Sequence, residues 1–199
     1  MRIGLFGGTF NPPHLGHTSL ARAFYAQSRA DLLIVMPSFL PPHKASAAVS
    51  PTDRLAMTRL AFLPLGKEGV NYTVSDYEIA KGDTSYTIYT VKHLLKVYGE
   101  KTLALCVGSD MFLSFESWKC AQELLSLCEL YTLARHPGEE SRLNDYAASL
   151  CERFHARVCV MSGEVLEVSS TGLREKADAS EALLDPAVRD YARKHRLYC

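Results

Sequence analysis

The sequence predicts an α/β domain built on one doubly wound, mostly parallel sheet. Two observations carry that prediction. Short apolar runs of buried-strand length alternate with longer segments of helical apolar spacing along the 199 residues. Glycine or proline closes several of those segments, at Gly7-Gly8, Pro37, Gly99 and Gly108. No internal repeat, low-complexity stretch or linker-like segment interrupts the alternation, so residues 1–199 read as a single domain.

Residues 2–6 (RIGLF) form the first strand, ended by Gly7-Gly8. A helix covers 15–28, where Leu15, Leu20, Ala23, Phe24 and Ala26 supply an apolar face. The second strand is 32–36, stopped by Pro37. Residues 38–51 contain three prolines and a His-Lys pair, and read as a long loop of the kind that is often functional. The next helix covers 52–63, with Thr52 as N-cap and Asp53 in the first turn. Thr, Tyr and Val alternate over 71–79, which predicts a strand. A helix follows at 85–98, ended by Gly99. A buried strand at 103–107 stops at Gly108, followed by a helix at 119–127 and a strand at 129–134. The chain finishes with a helix at 142–154, strands at 157–161 and 165–168, and helices at 172–176 and 186–196, with Pro186 suited to a first turn.

Composition excludes several classes. Lys+Arg and Asp+Glu are 22 each, the net charge is zero, and 47% of residues are apolar. That balance does not suit a disordered chain. The longest plain aliphatic run, 32–36, is far short of the roughly 20 residues a membrane-spanning helix needs. Non-specific nucleic-acid binding runs on excess Lys and Arg, so neither a nucleic acid nor a membrane is expected as a partner. The opening MRIGL runs straight into a strand without the layout of a signal peptide, which predicts a cytoplasmic protein. Cysteines stand at 106, 120, 128, 151, 159 and 199 with no CxxC pair, and read as reduced and structural. Nothing in the pattern specifies an oligomeric state.

Open α/β sheets bind ligands beyond the carboxyl ends of their strands. The first such end reads GGTFNPPHLGH, residues 7–17. Two glycines allow a sharp turn and close backbone approach. His14 and His17 share a face of the first helical turn, where amides and the helix dipole favour anions. By spacing alone the pair fits phosphate donors, two solvated histidines or part of a metal site. The second end gives PSFLPPHK, whose prolines stiffen the loop carrying Lys44. Ser85-Tyr86-Thr87 opens a helix, with Ser85 a possible N-cap. At the next end, Gly108-Ser109-Asp110 offers a carboxylate to ribose hydroxyls, and Trp118 is the single tryptophan. Its ring suits packing in a core or stacking on a pyridinium cation. Arg135 at a strand end suits a phosphate or a plain exposed turn. The last motif, Ser169-Ser170-Thr171-Gly172-Leu173-Arg174, starts a helix with hydroxyls and amides that suit phosphate or simple capping. A P-loop and a GxGxxG fingerprint are both absent from the sequence.

These strings together resemble the bacterial nicotinate-nucleotide adenylyltransferases, of the nucleotidyltransferase superfamily whose first helix opens with HxGH. GGTFNPPHLGH is similar to that family's opening, PxxxPPHK to its second motif, SYT, GxD and SW to its pyridine-nucleotide pocket, and SSTxLR to its ISSTxIR string. The His136 inserted in Ala-Arg-His-Pro-Gly departs from the family's RPG-like string. The resemblance runs from residue 7 to residue 174 and implies a Rossmann-like nucleotidyltransferase fold. It implies that ATP meets Gly7, Gly8, Thr9, Phe10, His14, His17, Ser169, Ser170, Thr171 and Arg174. His14, His17, Lys44 and Arg174 become the catalytic set, and Thr87, Asp110, Trp118 and Arg135 the mononucleotide contacts.

The implied reaction joins ATP to nicotinate mononucleotide, giving deamido-NAD and pyrophosphate. Mg²⁺ is expected to arrive with ATP, with no dedicated protein metal site. The same residues also fit a sister transferase that takes nicotinamide mononucleotide or another phosphorylated acceptor. A non-catalytic nucleotide-binding module is the third reading. An intact set of His14, His17, Lys44 and Arg174 weighs against it.

Overall fold

The computed structural model describes all residues except 43–48, 101, 137, 164–165, 167, 176–180 and 199. Six strands form one sheet: β1 (Ile3–Gly8), β2 (Leu32–Pro37), β3 (Tyr72–Val74), β4 (Leu103–Cys106), β5 (Cys128–Thr132) and β6 (Arg157–Val160). Their order is β3-β2-β1-β4-β5-β6, and every neighbouring pair is parallel. The chain therefore winds outward from β1 in one direction, then returns to β4 and winds in the other.

Alternation along each strand creates two cores, one on each face of the sheet. Ile3, Leu5, Ile34, Met36, Leu103, Leu105 and Leu130 point to one face. There they meet α4 (Thr87–Tyr98) through Ile88, Val91 and Leu94, α6 (Ala121–Leu127) through Leu124, and α7 (Glu139–Phe154) through Leu143 and Leu150. Phe6, Leu33, Val35, Ala104 and Cys106 point to the other face. They meet α1 (Leu15–Ser28) through Leu20 and Phe24, α2 (Pro51–Lys67) through Met57, Phe62 and Leu65, and α9 (Pro186–Lys194) through Val188. Smaller helices are α3 (Tyr77–Lys81), α5 (Ser109–Leu113) and α8 (Ser170–Glu175). No helix among the described residues is long and apolar enough to cross a membrane.

The expected elements recur, with instructive differences. β1 runs through Gly7 and Gly8 instead of ending at them, because both pair in register with Met36 and Pro37 of β2. Ser50, not Thr52, caps α2: its hydroxyl accepts from the Asp53 N–H, and Pro51 occupies the first turn. α2 also runs past 63 to Lys67. The expected strand at 71–79 is only Tyr72–Val74, at the sheet edge, and 77–81 is helical, with Gly82 in the left-handed region (φ 69°) closing that turn. α4 begins at Thr87, and Gly99 ends it as expected, at φ 66°. α5, together with the 3-10 turn Phe115–Ser117, went unforeseen. Of the expected strand at 165–168, residues 165 and 167 lie outside the described set, while Leu166 and Val168 carry no strand. The helix expected at 172–176 starts earlier, at Ser170, and residue 176 is likewise outside that set.

Candidate active site

Strand order reverses between β1 and β4, and that reversal opens a crevice beyond their carboxyl ends. The segment 7–17 leaves β1 there, and 108–110 leaves β4. Between β1 and α1 the chain turns tightly. Phe10 takes a left-handed conformation (φ 49°) and its side chain is buried. The Gly8 Cα faces that ring, 2.8 Å from where a Cβ would stand, so Gly8 makes room for Phe10. A Cβ at Gly7 would meet the Met36 carbonyl oxygen at 3.9 Å, an ordinary contact.

His14 is the N-cap of α1 and His17 sits one turn on. Their rings stack, with centroids 3.7 Å apart. The His14 N–H donates to His17 Nδ1 at 3.1 Å. When neutral, His17 therefore carries its proton on Nε2. His14 is buried, and burial together with the nearby Arg135 charge lowers its pKa from 6.5 to about 4. It is neutral at pH 7, and among the described residues its buried Nδ1 has no hydrogen-bond partner. The first turn of α1 contains no acidic residue to compete for an anion.

The last motif reaches the same turn from the far end of the chain. Arg174 Nη1 donates to the Asn11 carbonyl at 2.6 Å, and Ser170 Oγ donates to the Pro12 carbonyl at 2.9 Å. Ser169 Oγ accepts from the Gly172 N–H at 3.0 Å, and Thr171 Oγ1 accepts from Arg174 Nη2 at 3.1 Å. Of the three hydroxyls only Ser170 donates in these bonds; Ser169 and Thr171 accept, which leaves their role as phosphate donors compatible with this arrangement.

Arg135 follows β5 and leans across the end of β4. Its guanidinium lies 3.5 Å from the exposed Asp110 carboxylate, and its N–H donates to Glu139 Oε2 at 2.8 Å. Asp110 and Arg135 therefore sit side by side beyond adjacent strands. Trp118 is half-buried, stacked on Phe115 with centroids 4.8 Å apart. Thr87 is half-buried at the first position of α4, which Tyr86 caps. Lys119 ties these two segments together, its Nζ 4.3 Å from the Tyr86 ring centroid. Ser85 is not the cap. Its hydroxyl accepts from the Phe39 N–H at 2.9 Å, and its N–H donates to the Leu40 carbonyl at 2.8 Å, which pins the loop after β2. Lys44 lies outside the described residues.

Three supporting residues escaped sequence reasoning. Arg54 is 1% exposed inside α2, yet donates to the Thr9 carbonyl at 2.6 Å and the Phe39 carbonyl at 2.8 Å. Nothing in the local pattern marks an arginine at a core position as a brace between two loops. Gly16, the glycine of HLGH, leaves space for His14 and the Leu166 carbonyl. Gly108 leaves space for the Arg135 guanidinium, 2.9 Å from where a Cβ would lie. Among the described residues, no group of three or more His, Cys, Asp or Glu side chains converges as a metal cage.

A family model described as cytidylyltransferase-like matches residues 5–176. Curated relatives match over nearly the whole chain. The probable nicotinate-nucleotide adenylyltransferase of Synechococcus sp. (strain JA-3-3Ab) is 35% identical over 99% of this chain and 94% of its own. The chain belongs to the cytidylyltransferase-like family, among its nicotinate-nucleotide adenylyltransferases. The probable nicotinate-nucleotide adenylyltransferase of Thermoanaerobacter sp. (strain X514) is 34% identical, over 100% of this chain and 94% of its own. Among solved structures, the Plasmodium falciparum nicotinic acid mononucleotide adenylyltransferase complexed with NaAD superposes with a TM-score of 0.76. It covers 99% of this chain and 97% of that one, at 15% identity, and so speaks to the fold. The β1–α1 histidines and the α8 arginine are thus placed on the nucleotidyltransferase fold of this family.

Proposed function

We propose that this chain transfers the adenylyl group of ATP to nicotinate mononucleotide, giving deamido-NAD and pyrophosphate in NAD biosynthesis, with residues 1–199 acting as one nucleotidyltransferase domain. The observation that carries the reading is the union of the first and last motifs at the reversal point of the sheet. Arg174 and Ser170 are bonded to the turn that leads into His14 and His17. The 35% identity over 99% of the chain to a relative named for this activity supports the same reading.

The acceptor phosphate has a second pKa of about 6, so at pH 7 it is already the nucleophile and needs no general base. One of its oxygens attacks the α-phosphorus of ATP, and the bond to the α–β bridging oxygen breaks. Catalysis then rests on placement and on charge stabilisation. His17 Nε2–H and the α1 amides hold phosphate oxygens, with Gly7, Gly8, Thr9 and Phe10 shaping the turn. His14, neutral at pH 7, holds a phosphate oxygen beside His17 without adding a positive charge of its own. Arg174 stabilises the departing pyrophosphate, and by its motif so does Lys44. Ser170 holds the turn and Thr171 holds Arg174, and the hydroxyls and amides of Ser169, Ser170 and Thr171 complete the phosphate cradle. Mg²⁺ enters bound to ATP as part of the substrate. Arg135 takes the mononucleotide phosphate, Asp110 the ribose, and the free face of Trp118 the pyridine ring, with Thr87 near its carboxylate. The cytoplasm supplies substrates of this class.

The test is pyrophosphate release by purified protein with Mg-ATP and a panel of acceptors. Turnover is expected to be fastest with nicotinate mononucleotide. No turnover with any pyridine mononucleotide would defeat the reading. Equal rates with the acid and amide forms would move the assignment to a sister transferase.

A further inference from the structure

The turn at 9–12 is held by more of the chain than the family motifs provide. Arg54 bonds the Thr9 carbonyl, Arg174 the Asn11 carbonyl and Ser170 the Pro12 carbonyl. A fourth contact reaches the side chain of Asn11 in the turn. The Tyr198 hydroxyl donates to Asn11 Oδ1 at 2.6 Å. Asn11 is 9% exposed, so its carboxamide has little access to water as a substitute. The route taken to this contact is conformationally costly. Two non-glycine residues near the end of the chain, Arg196 (φ 52°) and Tyr198 (φ 63°), stand in the left-handed region. Such conformations persist where surrounding contacts enforce them, and they concentrate at functional sites. Here the enforcing contacts are visible. α9 packs on α2 through Val188 and Ala192, Tyr191 donates to Asp53 Oδ1 at 3.0 Å, and the Leu197 N–H bonds the Ala192 carbonyl at 2.9 Å. α2 also carries Arg54, so one helix anchors both braces.

We propose that Tyr198 is a positioning residue for ATP, acting through the Asn11 carboxamide to set the turn between β1 and α1. This rests on the reading that the turn holds ATP phosphates. Burial raises the Tyr198 pKa above the ordinary phenol range, so the hydroxyl stays protonated and donates throughout the working pH range. It does not touch the reacting atoms. It fixes the carboxamide next to Pro12 and so the approach of the chain to His14.

The test uses the full-length protein and four variants, one of them a double variant, with Mg-ATP dissociation constants, KM and kcat for both substrates, and thermal midpoints. A hydrogen bond of this kind is worth a net ~2- to 10-fold in an equilibrium constant. Tyr198→Phe is expected to raise the Mg-ATP dissociation constant and the ATP KM about 3- to 10-fold. The KM for nicotinate mononucleotide should stay within about twofold. Tyr191→Phe removes one of the contacts that hold the tail but leaves the bond to Asn11 in place, and is expected to lower the midpoint with a smaller shift in the ATP constants than Tyr198→Phe. In an Asn11→Ala background, Tyr198→Phe should have no further effect on ATP. Wild-type ATP constants in Tyr198→Phe would overturn the proposal, as would an equal shift in Tyr191→Phe or full additivity with Asn11→Ala. Direct Mg-ATP binding is read without turnover, so a wild-type protein inactive on pyridine mononucleotides would defeat the proposed reaction while leaving this measurement intact.

Discussion

Replacing Gly16 with alanine should separate stability from catalysis. Gly16 is the second residue of α1. A methyl group there would stand 2.9 Å from the Leu166 carbonyl oxygen, 3.1 Å from His14 Nδ1 and 3.2 Å from His14 Cε1. Carbon contacts rest at about 3.5–4.0 Å, so the backbone on one side or the ring on the other must move by several tenths of an ångström. Alanine gains at most about 1 kcal/mol over glycine in a helix, and overpacking costs on the order of 1–3 kcal/mol. The net destabilisation is about 0–2 kcal/mol. At about 2–4 °C per kcal/mol for a chain of this size, the Tm falls by no more than about 8 °C. Catalysis is less tolerant, because a misplacement near 1 Å costs roughly 10²-fold. We expect kcat to drop about 10- to 100-fold in the pyrophosphate-release assay while the protein stays folded. A variant with wild-type kcat and a raised Tm would show that the helix gain is unopposed, and that the placement of the His14 ring does not limit the reaction.

Gly108→Ala should act on the acceptor alone. Its Cβ would displace the Arg135 guanidinium, a flexible group 2.9 Å away, so the Tm should change little while the mononucleotide KM rises about 10-fold and the ATP KM stays put; an unchanged mononucleotide KM would remove Arg135 from the phosphate site. Stability should also respond to pH through His14, whose pKa is held at about 4 in the folded state against 6.5. Between those values the unfolded chain accepts a proton that the folded chain refuses, so stability complete above pH 6.5 falls by about 3 kcal/mol as pH drops through this window. Denaturant titrations of wild type and His14→Gln across this range should converge as the pH falls, and a constant difference between them would refute the burial argument.

The fold was legible because two periodicities report it directly. Buried parallel strands such as Leu103–Cys106 are unbroken apolar runs, and amphipathic helices such as α4 repeat at helical spacing. Tyr72–Val74 misled because an edge strand needs only part of the Thr/Tyr/Val run, and the remaining Tyr77–Lys81 is claimed by a short helix. α5 was invisible because a five-residue helix shows too little periodicity to register. At the candidate site, the histidines, Arg135 and Arg174 stand out in the sequence because they sit in local strings. Arg54 and Tyr198 were not, because their partners lie 45 and 187 residues away. Ser85 was misjudged for the same reason: its hydroxyl serves a loop 46 residues upstream rather than its own helix.

Those long-range braces bear on how a protein of zero net charge can present a site to a triphosphate. An arginine bridged to a carboxylate brings little net charge to a pocket. An arginine held by a carbonyl keeps its full positive charge while its orientation is set. Arg54 and Arg174 are both held this way, by the Thr9, Phe39 and Asn11 carbonyls. Arg135, by contrast, lies 3.5 Å from the Asp110 carboxylate. Among the described residues, neither of these arginines is paired with a carboxylate, so the β1–α1 side of the crevice keeps positive charge oriented before ligand arrives, which suits the more anionic substrate and the departing pyrophosphate. The β4–β5 side is locally balanced, which suits a monophosphate whose neighbouring ribose must be read by the same carboxylate. Asp110→Asn should then tighten phosphate binding at Arg135 while weakening recognition of the ribose. Opposite changes in affinity for inorganic phosphate and for the nucleoside would display that division, and parallel changes would contradict it.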